Sequence, residues 1–370
     1  MTMPKGLLLT IAAAVLTFPA ASKDPAPQTA SIPSDPLEPV TGSIQTISTP
    51  DDREAILKLL ARARNNYALR TDGPGYDLKV NFKVDSSGQT QYDGAWQMEE
   101  IYAPGKGFRW TAKAEAGYTT TQISGEKFSY RDGPGDYLPL RLHEARAALF
   151  GPIATQPYVD LDLIRTSTAT VNEVELTCVL LSHAPRKATL TSGRHWEESE
   201  DCIDPQSGLL KLHSLAPGRY ELYDYTDAPT IGTHLLPRKV TITEAGKTVM
   251  ELRVDSLTEL PSPDPALFVP TPEMIASESG IAMVEARKIS AFYKPGTIAS
   301  NATIHPVCVF GLLTPSGQLV EAHSLQPSDP NSQAAVESAK RMNLHHLMTP
   351  GSRPEQRFIF ITEKFVGRVP

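Results

Sequence analysis

VNEVELTCVLLSHAPRKATLTSGRHWEESEDCIDPQSGLLKLHSLAPGRYE, residues 171–221, holds two runs of alternating side chains joined by a long connection. In the first run Val174, Leu176, Cys178 and Leu180 fall on one face. In the second, Asp204, Pro205, Ser207 and Gly208 make a turn before the alternation resumes. Period two bounded by turn residues predicts β-strands with one buried face. Strands placed side by side bring Cys178 and Cys202 within reach of a disulfide.

The rest of the chain bounds the class of protein. Its 370 residues suffice for two or three domains, and its net charge of −7 is spread over interspersed acids and bases. No Lys/Arg block exceeds two residues, which excludes a nucleic-acid surface. Lys5 followed by the apolar run Leu7–Phe18 and then Pro19-Ala20-Ala21 has the shape of a secretory signal over residues 1–21. Export to a periplasmic or extracellular compartment makes a Cys178–Cys202 bridge chemically reasonable. It also sets these two cysteines apart from redox pairs, since they form no C-x-x-C motif. Cys308, in HPVCVFGLL, is expected to be a small buried hydrophobe.

In chain order, residues 22–50 are rich in Pro, Ser and Thr and are expected to form a flexible tether. Pro50 and the acidic Asp51, Asp52 and Glu54 open an amphipathic helix over 51–66, with Ile56, Leu59, Leu60 and Ala63 on its apolar side and Thr49 or Asp51 as cap. From Tyr76 the period changes to two, and short strands with turns at Pro104-Gly105, Gly117 and Gly125 predict an antiparallel meander. A short helix near 139–149 interrupts it, and the strands continue to about 258. Residues 259–289, with five prolines from Pro261 to Pro272, read as a linker able to add an edge strand. Residues 290–370 close the chain with a strand–turn–strand, a helix bearing Ala335, Val336, Ala339 and Met342 on one face behind an Asn331 or Ser332 cap, and a last strand. The expected architecture is α+β: an N-terminal helix on a large curved antiparallel sheet, a half-barrel, followed by a small β-β-α-β unit.

Two family resemblances follow from particular residues. The last unit resembles a TonB C-terminal domain through Val307–Gly311, Ser316-Gly317-Gln318-Leu319-Val320, Ala334-Ala335 with Ala339, and Arg357–Phe365, over about 290–366. His346 and Pro350 stand where that family carries an aromatic-proline element. The resemblance implies pairing with an envelope or outer-membrane protein by strand addition along Gln356–Phe365, led by Gln356, Arg357, Phe358, Ile359, Phe360 and Ile361. Residues 51–255 resemble the LolA/LolB-like lipoprotein-sorting fold through the helix 51–66, Phe108–Trp110, and Cys202-Ile203-Asp204 with Ser207-Gly208-Leu209. That resemblance implies a lipid or lipoprotein against the concave face and no catalytic residues.

Polar candidates are few. His195, Glu197, Glu198 and Asp201 cluster in GRHWEESED and offer a cation site for a metal-dependent hydrolase, although a solvated loop explains the same residues. His345 and His346 are adjacent and diverge by about 100° on a helix. His143 has no second ligand in helical register, and His305 before Pro306 is expected to end a loop. Asn301-Ala302-Thr303 matches a glycosylation sequon. Phe108, Trp110 and Tyr118 are candidates to line an apolar cavity, and strand aromatics equally serve as core. No P-loop, dinucleotide fingerprint, G-x-S-x-G or H-E-x-x-H occurs. The expectation is therefore a non-catalytic exported cell-envelope protein with no cofactor and no metal, the hydrolase and a purely structural role being the alternatives.

Overall fold

The computed structural model describes residues 43–70, 73–124, 129–135, 137–153, 162–171, 173–185, 193–196, 198–277, 287–293, 303–314, 316–347 and 357–367. The signal-like run 1–21, most of the tether and the Asn301-Ala302 pair of the sequon lie outside them. Where the tether is described it is not free chain: Gln45–Thr46 forms β1 on the edge of the large sheet, paired to residues 165–166.

Helix α1, Pro50–Asn65, begins where capping chemistry sets it: the Thr49 hydroxyl accepts the Asp52 amide at 3.1 Å, and Pro50 occupies the first turn. The strands β2 (Tyr76–Val84), β3 (Gly94–Ala103), β4 (Gly107–Ala114), β5 (Thr119–Ser124) and β6 (Ser129–Arg131) form the predicted meander. Helix α2, Leu140–Phe150, follows, with Pro139 at its N-cap and no side-chain cap of its own. Then come β7 (Asp162–Val171), β8 (Val174–Pro185), β9 (Ser199–Ile203), β10 (Leu210–Ala216) and β11 (Arg219–Asp224). The short pair β12 (Thr230–Ile231) and β13 (His234–Leu235) leads into β14 (Lys239–Glu244) and β15 (Lys247–Glu259). Within the 259–289 segment, β16 (Ile275–Ser277) pairs with β6 and so adds an edge strand.

All of these strands except β12 and β13 make one 14-stranded antiparallel sheet in the order β1-β7-β8-β9-β10-β11-β14-β15-β2-β3-β4-β5-β6-β16. The chain returns through β15, which pairs β2, so the first and last strands of the meander meet in the middle. One face carries the main core, with alternate residues of β2 (Tyr76, Leu78, Val80, Phe82, Val84) packed against Leu60, Ala63, Leu142 and Ala145 of the two helices. The opposite face carries a smaller cluster of Ala169, Leu176, Cys178, Cys202, Leu212 and Tyr220. Cys178 and Cys202 are direct cross-strand partners on β8 and β9, their Cα atoms 3.9 Å apart, and they are joined as a disulfide inside that cluster.

The turn between β9 and β10 shows how closely α1 is seated. The Asp204 carboxylate accepts the Gln206 amide and the Ser207 hydroxyl, and Gly208 takes a φ of 75°. A Cβ at Gly208 would come within 2.6 Å of the Arg62 side chain, whose guanidinium donates to the Gln206 carbonyl at 2.6 Å. Glycine is thus required both by backbone conformation and by the approach of the helix.

The last unit is a four-stranded sheet of β17 (Arg287–Tyr293), β18 (Thr303–Leu313), β19 (Leu319–Ser324) and β20 (Arg357–Gly367), with helix α3 (Ser332–Lys340). Ala335, Val336 and Ala339 of α3 pack on Val307, Val309, Ile359 and Ile361. Asn331 stands at the N-cap but its side chain makes no capping bond. His305 does not end a loop; with Pro306 it lies inside β18, paired to β20.

The disulfide closes a separation of 24 residues. Replacing both cysteines by serine is expected to lower unfolding stability by about 3 kcal/mol, measured by denaturant titration under oxidising conditions. An unchanged midpoint would remove the bridge as a structural staple.

Candidate functional site

The three aromatic residues proposed to line a cavity are packed in. Phe108, Trp110 and Tyr118 are 1 %, 0 % and 2 % exposed. The Arg70 guanidinium lies 4.0 Å from the Phe108 ring centre, and the Arg146 guanidinium lies 4.1 Å from that of Trp110. Tyr118 packs on Tyr92 and Trp96, with ring centres 4.9 Å and 5.6 Å away. Beneath the two arginines sits Glu100 on β3, at a core-facing position. Arg70 grips it through Nε and Nη2 at 2.8 Å and 2.5 Å, and the Tyr76 hydroxyl donates to it at 2.7 Å. Arg146 approaches the same carboxylate only to 3.8 Å. Burial, with the Arg70 charge beside it, depresses the Arg146 guanidinium to about 9.

A second charged cluster joins the two sheets. Arg141, in the first turn of α2, donates to Glu144 at 2.7 Å and to both oxygens of Glu244 at 2.8 Å and 3.0 Å. Arg219 on β11 donates to Glu144 at 2.9 Å and 2.7 Å and to Glu221 at 2.6 Å, while the Tyr223 hydroxyl donates to Glu221 at 2.5 Å. From the small sheet, His323 on β19 brings its Nε2 within 2.8 Å of Glu244. All of these side chains are buried. Burial alone would raise the Glu244 carboxyl, but Arg141 and His323 outweigh it and hold the group well below the usual carboxylate range. Beside the cluster, Leu140, Ala216, Cys308, Phe310, Leu312, Leu325 and Phe360 form an apolar seam between the sheets, which is where the buried Cys308 thiol lies.

Helix α2 obtains its N-terminal cap across this seam. The Glu321 carboxylate on β19 accepts the Leu140 amide at 3.2 Å, taking the place of the cap that Pro139 lacks. Burial pushes Glu321 up to about 7.

The loop 193–201 does not gather its acidic residues into one set. Arg165 holds Glu198 at 2.8 Å and 2.6 Å, and the same carboxylate accepts the His195 amide at 2.8 Å. Arg194 reaches Glu200 at 3.2 Å and the Ser214 carbonyl at 2.9 Å. Asp201 points to the opposite face of β9, where it pairs with His213 at 2.7 Å. Glu197 lies outside the described residues. The proposed hydrolase centre is thereby corrected: its described carboxylates serve arginines and a histidine on two faces of a sheet. Cys178, Glu200 and Cys202 stand close enough to suggest a metal set, but both sulfurs are bonded to each other.

The strand proposed for partner addition is interior. Backbone pairing places β20 between β17, parallel to it, and β18, antiparallel to it. Both edges of residues 359–361 are therefore occupied, Arg357 and Phe358 pair with β18, and Gln356 lies outside the described residues. A groove of about 490 Å³ does open elsewhere, between the start of α1 and the β1–β7 edge. Ile47, Leu57, Leu163 and Ile164 supply its apolar lining, and Thr46, Ser48, Thr49, Arg53 and Glu54 its polar rim. Among the described residues no helix is long and apolar enough to cross a membrane.

Arg141, Glu144, Arg219, Glu221, Glu244, His323, Arg70 and Arg146 form no recognisable motif in the sequence as a set. A signal existed for some of them: RYELYD puts Arg219, Glu221 and Tyr223 on one face of its strand, and LRLHEARAALF spaces Arg141 and Glu144 one helical turn apart.

No protein-family model matches the chain, and no curated protein matches it. Solved structures give distant likenesses. A LolA superfamily protein from Nitrosomonas europaea is 11 % identical, with 58 % of this chain and 96 % of that chain covered and a TM-score of 0.35. A DUF1329 family protein from Desulfovibrio piger is 9 % identical, with 58 % and 96 % covered and a TM-score of 0.37. A putative outer membrane lipoprotein-sorting protein domain from Vibrio parahaemolyticus is 8 % identical, with 58 % and 95 % covered and a TM-score of 0.34. At these scores the likeness carries no argument about what the chain binds.

The packed seam favours protonated Glu321, so its contribution is complete below the ordinary carboxyl value of 4.5 and is lost as pH rises through about 7. Replacing Glu321 by Gln is expected to raise stability by about 2 kcal/mol at pH 8 and to change little at pH 4.5, measured by denaturant unfolding at both pH values. An equal effect at the two would contradict the assignment.

Proposed function

We propose that this chain is a non-catalytic, exported cell-envelope protein that receives an apolar chain of a lipid or lipoprotein at its curved sheet. The groove between α1 and the β1–β7 edge carries this reading. Its volume falls within the range of small-ligand sites, roughly 300–1,000 Å³. Its lining is continuous with the interior, because Ile164 belongs to the main core and Ile47 and Leu57 pack against it. An acyl chain entering there would slide between an amphipathic helix and the sheet, replacing apolar contacts with apolar contacts. The division proposed with it is a sheet unit over about 51–258, completed by the groove residues 46–50 that precede it, a connecting segment, and a small unit over 290–370.

The small unit is proposed to meet an envelope protein through backbone pairing, in keeping with its resemblance to TonB C-terminal domains. Its outer strands are β17 and β19, so a partner strand joining β20 first displaces β17. A purely structural role is the second reading, favoured by the filled packing around Phe108, Trp110 and Tyr118.

The two readings part on one experiment. Purified protein titrated with a fluorescent long-chain acyl probe is expected to bind saturably, and Leu57→Glu is expected to weaken binding about tenfold by placing charge in the groove. Absence of saturable binding by the unaltered protein would reject the ligand-carrying reading and leave the structural one.

A further inference from the structure

Buried arginines in this protein come with carboxylates. Arg141, Arg165, Arg194 and Arg219 each donate a hydrogen bond to at least one carboxylate, and so does Arg70. Arg146 departs from this rule. Its side chain is 16 % exposed, its nearest carboxylate is 3.8 Å away, and that carboxylate is already gripped by Arg70 and Tyr76. Among the described residues its buried Nε has no hydrogen-bond partner. An unmatched guanidinium in a largely dehydrated place is costly to hold unless an anion completes it.

The register of the sheet supplies a second group of the same kind. Glu100, Trp110, Gln122 and Arg131 are successive cross-strand partners on β3, β4, β5 and β6, and so they share the core-facing side. Arg146 covers Trp110 in this row. Gln122 spends its carbonyl oxygen on the Trp110 indole at 3.0 Å, which leaves its amide NH2 as a donor. Arg131 donates one nitrogen to the Gly135 carbonyl at 2.8 Å, while its buried Nη1 has no partner among the described residues. The neighbouring Asp132 carboxylate is turned to the Thr121 amide. Just before β5, the buried Tyr118 hydroxyl lies within reach of the Thr120 and Arg131 side chains. Arg70 and Arg146 share the Glu100 carboxylate at one end of the row, and Arg131 at the other end has no carboxylate in the row beside it.

We propose that Arg146 and Arg131, with the Gln122 amide between them, form a phosphate-binding site on the inner face of β4–β6. Trp110 and Arg131 stand two strands apart, about 10 Å, a separation that two arginine side chains close on one oxyanion. The excess of positive charge matches the roughly −1.5 to −2 charge of a phosphoryl group at neutral pH. The planar guanidinium fork fits its oxygens two at a time. Gln122 and Arg131 are half-buried, so both keep some exposure to solvent. It is independent of the acyl groove at the β1–β7 edge and stands or falls separately.

Isothermal titration of the whole protein tests this with inorganic phosphate, a short-chain phosphatidic acid and the matching diacylglycerol. Saturable one-to-one binding of phosphate or phosphatidic acid is expected, weakened about tenfold by Arg146→Gln and by Arg131→Gln. Lys113→Gln, which removes an exposed charge on the other face of β4, is expected to leave it unchanged. Comparable binding of inorganic phosphate identifies a free phosphate ligand, and binding of phosphatidic acid alone identifies a lipid headgroup; each supports the site. Should Arg146→Gln unfold, Arg131→Gln and the charge-keeping Arg146→Lys carry the comparison. The proposal is overturned if neither phosphate compound binds saturably, if diacylglycerol binds as tightly as phosphatidic acid, or if folded Arg→Gln variants bind like the unaltered protein.

Discussion

The bidentate pairing of Arg141 with Glu244, with His323 on the same carboxylate, joins three parts of the chain. Arg141 belongs to α2, Glu244 ends a central strand of the large sheet, and His323 reaches the same carboxylate from the small sheet. Removing one partner from such a buried pair strands the other, at a typical cost of about 3–5 kcal/mol. An apolar seam of equal area would hold the sheets together with less demand on geometry. The ionic cluster instead fixes how they meet, since Arg219, Glu144 and Glu221 must all find their partners at once. The cap that Glu321 provides to α2 belongs to the same arrangement, because the helix has no side-chain cap of its own.

Charge is handled differently across the molecule, and the differences separate scaffold from candidate sites. On the disulfide face Arg165 and Arg194 pin the 193–198 loop over β7–β10. At the seam every arginine has a carboxylate. Toward β4–β6 the half-buried Arg146 comes no nearer than 3.8 Å to its carboxylate, Glu100, which Arg70 already holds. The groove at the opposite edge is the apolar counterpart, where the start of α1 leaves the first strands uncovered.

Much of the architecture was legible in the sequence because its signals are local. Thr49-Pro50-Asp51-Asp52 announced α1, the alternation in YDLKVNFKV announced β2, and Asp204 to Gly208 announced the turn that seats Arg62. The facing of Cys178 and Cys202 followed from period two and a long connection. What stayed hidden depends on partners distant in sequence. Arg141 and Glu244 lie 103 residues apart, and nothing local shows that they pair. The same holds for β20, whose outer edge is taken by β17 from before the hairpin. His195, Glu198 and Asp201 look like one cluster on paper because the strand pleat that sends Asp201 to the other face is a property of the folded backbone.

If the ionic cluster fixes the small sheet against the large one, its loss should loosen the small sheet first. Amide hydrogen exchange of Arg141→Met, compared with the unaltered protein, tests this directly. The expected result is faster exchange in β18 and β19 with β2, β3 and β4 still protected. Unchanged protection of β18 and β19 in a folded Arg141→Met protein would contradict it, and would assign the junction to the apolar seam around Phe310 and Phe360.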